Sequence, residues 1–126
     1  MRLDESTNAS LSLQENRRTD MATATQLERD AVTLDPKHYS VEAENDEVRI
    51  VRIRYGPREK SVMHQHRRGV GVFLTDGNFT FTYPNGRSEP ISANRGDFLV
   101  FDEAWEHLPE TLTEEPFEAL YIELKD

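Results

Sequence analysis

Four histidines, at positions 38, 64, 66 and 107, and a complete lack of cysteine set the chemistry open to this chain. His64 and His66 stand two residues apart in a segment that reads as a strand, and that spacing places both side chains on one face. If the face points inward, two imidazoles enter the interior together. A buried imidazole without a partner costs roughly 1–3 kcal/mol, so the pair needs water, an acid or a metal ion. Imidazole nitrogen suits Zn, Fe, Cu and Ni. Without cysteine there is no disulfide, thiolate site or cysteine nucleophile. The chain also holds no GxSxG, GxGxxG or phosphate-binding loop.

The elements that must position these residues are strands. From Val32 onward, runs rich in Val, Ile, Phe and Tyr recur with period two and are split by turn dipeptides. This pattern predicts an all-β sandwich or barrel. The expected strands cover residues 39–43, 48–55, 61–66, 70–75, 78–83, 89–93, 97–101, 107–110 and 117–124. Asp76-Gly77 predicts a tight hairpin, Pro84-Asn85-Gly86-Arg87 a second reversal, and Gly56-Pro57 and Arg95-Gly96 further turns. Val70, Val72 and Leu74 form one expected inward set, and Phe79, Phe81 and Tyr83 another. Residues 1–30 are polar and charged and read as a poorly ordered N-terminal extension. Thr25-Gln26-Leu27-Glu28 is its one weak capping-box signal. Residues 31–126 make the barrel domain.

At 126 residues the chain is one domain. A net charge of −9 excludes the basic footprint that nucleic acid requires. The stretch from Asp102 to Asp126 is strongly acidic, with Lys125 its single base, and reads as a solvated face. No apolar run approaches the ~18–20 residues of a membrane span. No secretory apolar region follows Met1, so the expected location is the cytoplasm.

The spacing of the histidines resembles the cupin superfamily. His64-Gln65-His66, three residues, Val70, six residues and Gly77 match its first motif, which runs HxH, three or four residues, Glu, six residues, Gly. Gly96, five residues, Asp102, then Ala104, His107 and Thr111 match the second, with Asp102, Ala104 and Thr111 where that motif has Pro, Gly and Asn. The glycine that opens the first motif falls on Arg58. The stretches around His38-Tyr39, Ile53-Arg54-Tyr55-Gly56-Pro57 and Ile122-Glu123-Leu124 are similar to a group of small single-domain bacterial cupins. The resemblance implies a double-stranded β-helix, or jelly-roll barrel, with His64, His66 and His107 as ligands of a divalent transition metal (Fe, Zn, Mn, Ni or Cu). It names no catalytic residue. Val70 replaces the family's glutamate ligand. A carboxylate-free set of three histidines, similar to that of the thiol dioxygenase branch, stays about +2 and implies a small anionic ligand. Oxygenase, isomerase or lyase chemistry follows from that reading. The alternative is a non-catalytic barrel that binds or senses a small ligand without metal. His38 matches no ligand position and is read as a surface or edge residue. Glu106 is expected to face away from His107. Arg67 and Arg68 read as a solvated loop before an anion clamp, and Trp105 as barrel packing. Related cupins imply a homodimer, with pairing near the strands at Tyr39 and Val48.

Overall fold

The computed structural model describes residues 27–125. Most of the expected extension, including the start of its capping box, lies outside the described residues. Nine strands follow a single helical turn. The turn, α1, is Ala31–Leu34, and the strands are β1 (Tyr39–Glu44), β2 (Val48–Tyr55), β3 (His64–His66), β4 (Gly69–Phe73), β5 (Gly77–Thr82), β6 (Ser88–Ala93), β7 (Phe98–Phe101), β8 (Trp105–Thr111) and β9 (Phe117–Leu124). They form a five-stranded sheet in the order β1-β2-β9-β4-β7 and a four-stranded sheet in the order β3-β8-β5-β6. All pairings are antiparallel. The inner faces of the two sheets enclose a core of Val51, Phe73, Phe79, Phe81, Phe117, Ala119 and Tyr121, with Tyr39 and Tyr55. Among the described residues no helix is long and apolar enough to cross a membrane.

β9 shows the alternation most clearly: Phe117, Ala119, Tyr121 and Glu123 are buried while the residues between them are partly exposed. Phe79 and Phe81 point inward as expected. Val70, Val72 and Leu74 do not. Gly69, Gly71 and Phe73 carry the inward face of β4, across from Glu123, Tyr121 and Ala119 of β9. The valines were the more apolar set, but the outer face of this sheet is apolar too. Its cross-strand row runs Ala43, Ile50, Ile122, Val70, Val100, and the next runs Arg52, Leu120, Val72, Phe98. Periodicity fixes which residues share a face and is silent on which face is inside when both are apolar.

Asp76-Gly77 is also not a hairpin. β4 and β5 belong to different sheets, and the dipeptide carries the chain across from one to the other. Gly77 is required for space: a Cβ there would lie 2.6 Å from the Phe117 ring. The real hairpin is Pro84–Arg87, where Gly86 has φ of 90° and the Tyr83 N–H donates to the Arg87 carbonyl at 2.8 Å. Gly96 has the same φ at the Arg95-Gly96 turn.

Candidate metal centre

β3 and β8 are neighbours in register, with His64 opposite His107 and His66 opposite Trp105. The period-two reading therefore holds, and the pairing brings the third imidazole to the first two. His64, His66 and His107 are 0%, 2% and 3% exposed. Their Nε2 atoms converge: His64 to His66 is 3.1 Å and His66 to His107 is 3.2 Å. All three ligand atoms lie within 4.8 Å of one another, the one such group among the described residues. Metal–imidazole bonds of about 2.0–2.1 Å at angles between 90° and tetrahedral put ligand nitrogens roughly 2.9–3.4 Å apart. Two sides of the triangle already have that length.

Proton placement points the same way. His64 Nδ1 lies 2.8 Å from the Val62 carbonyl, so Nδ1 carries the hydrogen and Nε2 presents a lone pair. A hydrogen on His66 Nε2 satisfies one of its two close neighbours, leaving the other contact poorly satisfied. A cation between the three nitrogens would accept every lone pair at once. Burial drives the imidazoles toward this neutral form: it pushes His64 down to about 4. Burial and then mutual repulsion hold His66 and His107 well below the usual histidine range.

The shell around the imidazoles is uneven. His64 Nδ1 also lies 3.2 Å from Ser61 Oγ, and Ser61 Oγ donates to Asp35 Oδ2 at 2.5 Å. Asp35 Oδ2 in turn sits 2.7 Å from His38 Nδ1, and His38 Nε2 sits 2.9 Å from Glu59 Oε1. His38 is thus a buried residue, 5% exposed, and not the surface residue expected from the sequence. It tolerates burial because each ring nitrogen meets a carboxylate and its ring stacks on Tyr55 at 4.1 Å. The Gly56 N–H, then His38 and Lys37, hold the Glu59 carboxyl down at about 2. The Asp35–His38 spacing of three residues, closed by a turn in which the His38 N–H donates to the Asp35 carbonyl at 3.1 Å, was the sequence signal for the first of these contacts. By contrast, His66 Nδ1 and His107 Nδ1 are buried without a hydrogen-bond partner.

The missing carboxylate has a structural counterpart. Val70 faces out, so it does not occupy the glutamate's place. In the four-residue form of the motif that place falls on Gly71, which lines the interior cavity with His66 and His107. The buried carboxylate on the same sheet face, Glu123, is held by Arg49 at 2.8 Å and by Arg67 at 3.0 Å. Arg67 is accordingly tied into the barrel wall. Glu106 turns outward, as expected, and pairs with Arg29 at 2.9 Å. Trp105 packs as barrel wall, stacked on Phe101 at 3.9 Å with its Nε1–H donating to Tyr121 Oη. Thr111, in the place of the motif asparagine, is buried and accepts from the Glu59 N–H at 2.7 Å, tying β8 to the turn before Ser61.

This fold and site can be set beside known structures. A cupin domain from Bordetella pertussis Tohama I superposes with a TM-score of 0.65 at 26% identity, covering 70% of this chain and 92% of that one. The chain belongs to the cupin superfamily. Two further solved structures share the architecture. A cupin superfamily protein from Desulfitobacterium hafniense has a TM-score of 0.53 at 19% identity, covering 70% of this cupin and 76% of that chain. The polyketide cyclase RemF from Streptomyces resistomycificus has 0.54 at 14%, covering 81% and 76%. No family model and no curated protein matches the sequence.

Proposed function

We propose that this cupin binds one divalent transition metal through His64, His66 and His107. The observation that carries the reading is the convergence of three buried Nε2 atoms, two of their separations already suited to a shared ion. A metal held by three neutral imidazoles keeps its charge and has open positions, so it would supply Lewis-acid or oxygen-activating chemistry to a small molecule in the barrel. His64 is oriented for this by Val62, Ser61 and Asp35.

A second reading is a barrel that binds or senses a small ligand without metal and without turnover. It is favoured by the two unpartnered Nδ1 atoms, because metal-bound histidines almost always anchor their second nitrogen. Elemental analysis of tag-free protein separates the two readings. The expected result is near one equivalent of metal in the wild type and none in His64→Ala/His66→Ala. No metal in either protein after reconstitution would leave the metal-free barrel. A homodimer belongs to the same proposal, with the apolar outer face of the five-stranded sheet as its contact surface.

A further inference from the structure

The barrel interior holds a cavity of about 60 Å³ beside His66 and His107. We propose that this chamber takes a small uncharged, apolar molecule, or the apolar end of a larger one, and that its own side chains offer an anion no charged partner. The inference rests on the barrel interior being the ligand site, and it goes further by fixing the ligand's chemical class.

Nine of the lining residues are aromatic, and none is Lys, Arg, Asp or Glu. The hydroxyl and indole groups of the aromatic wall already have hydrogen-bond partners. Tyr39 and Tyr55 hydroxyls pair at 2.6 Å. Tyr121 Oη accepts from Trp105 Nε1 at 3.0 Å and donates to the Arg67 carbonyl at 2.5 Å. The two lining imidazoles turn their Nε2 atoms toward each other, 3.2 Å apart. Nearby Arg49 and Arg67 both hold Glu123, behind this wall. An anion entering the chamber would lose its hydration and gain no charged side chain in return, whereas an apolar molecule loses nothing it needs. On size, an apolar cavity of about 150 Å³ admits benzene and about 10–15 Å³ admits one water. The chamber therefore suits a body of a few heavy atoms.

Isobutene, acetone and acetate share one planar four-heavy-atom shape and differ in polarity and charge. Trp105 is the only tryptophan, so its indole N–H gives a single resonance that needs no assignment and reports on the chamber wall. Each probe is titrated into metal-free and metal-loaded wild type. The expected result in the metal-free form is saturable displacement of the indole signal with isobutene binding at least tenfold tighter than acetate and acetone between them, and in the metal-loaded form isobutene still binds. Leu99→Phe, which fills the lining, is expected to weaken isobutene at least tenfold; the wild-type series stands without it if that variant does not fold. In the metal-free form, acetate binding as tightly as isobutene, or no probe moving the signal, overturns the proposal. Acetate binding tightly only after metal is added sustains the proposal and supports the metal centre, because the ion and not the chamber wall then holds it. Isobutene binding in a protein that takes up no metal sustains the proposal and removes the metal reading.

Discussion

His38 and His64 show how far single residues can be read. In sequence the two look alike. The i, i+2 spacing and the later His107 pointed to a shared site, and the structure brings those three imidazoles together. His38 matched no ligand position, yet it is buried, because Asp35, three residues before it, and Glu59, which only the fold brings near, each meet a ring nitrogen. Burial of the three clustered imidazoles has a measurable consequence for the metal-free protein. Their folded-state affinity for protons is lowered, to about 4 for His64. In the unfolded chain a histidine takes up its proton near pH ~6.5. Between these values the unfolded state binds more protons, so stability rises with pH there. Metal-free protein is expected to lose stability as pH falls from about 6.5 toward about 4, with little further loss from His64 below that. Urea midpoints measured across this range check it. His64→Ala/His66→Ala should flatten the slope; an unchanged slope in that variant would assign the effect to other groups.

At the scale of elements, every expected strand exists, and two run to the same ends as expected: β2 and β9. Alternation and turn dipeptides were enough for that. The errors came where local signals carry no tertiary information. Asp76-Gly77 has hairpin composition, but Gly77 answers to the Phe117 ring; and Gly69 is needed because a Cβ there would meet the Ile122 carbonyl in the next strand. The glycine that opens the first motif shows the reverse case. Arg58 stands in its place and takes the left-handed backbone itself, with φ of 52°, the one positive φ outside glycine among the described residues. That conformation costs a residue with a Cβ about 1–2 kcal/mol. The Arg58 side chain returns little, because its pair with Glu114 at 3.1 Å is solvent-exposed. Arg58→Gly is therefore expected to stabilise the protein by roughly 0.5–1 kcal/mol, the strain relief less the added flexibility of the unfolded chain. A shift of the denaturation midpoint to lower urea would show that the side-chain contacts outweigh the strain.

For the molecule as a whole, the outer face of the five-stranded sheet is the feature that a solitary barrel does not explain. A half-solvated sheet alternates apolar inside and polar outside. Here Ile50, Ile122, Val70 and Val100 continue one apolar row, and Leu120, Val72 and Phe98 the next. Phe98 and Val100 are 64% and 60% exposed. The expected dimer contact near Tyr39 and Val48 is partly used within the chain, since β1 already pairs with β2. A second copy fits the outer face better. The chain carries −9 overall, so two copies repel wherever acidic surfaces meet. On this face the charges are closed in pairs: Arg52 binds Glu42 and Glu118, and Arg54 binds the same Glu118. Two copies can therefore press it together without bringing unpaired acids into contact. Light scattering is expected to give the dimer mass for wild type, with dissociation shifted to lower protein concentration as salt screens the remaining repulsion. Phe98→Glu/Val100→Glu places two carboxylates where the apolar rows meet their partner and is expected to give the monomer mass with an unchanged β-sheet spectrum, because both side chains point away from the core. A wild type that is monomeric at every salt concentration would sink the dimer, and a dimer that survives the double substitution would move its contact elsewhere.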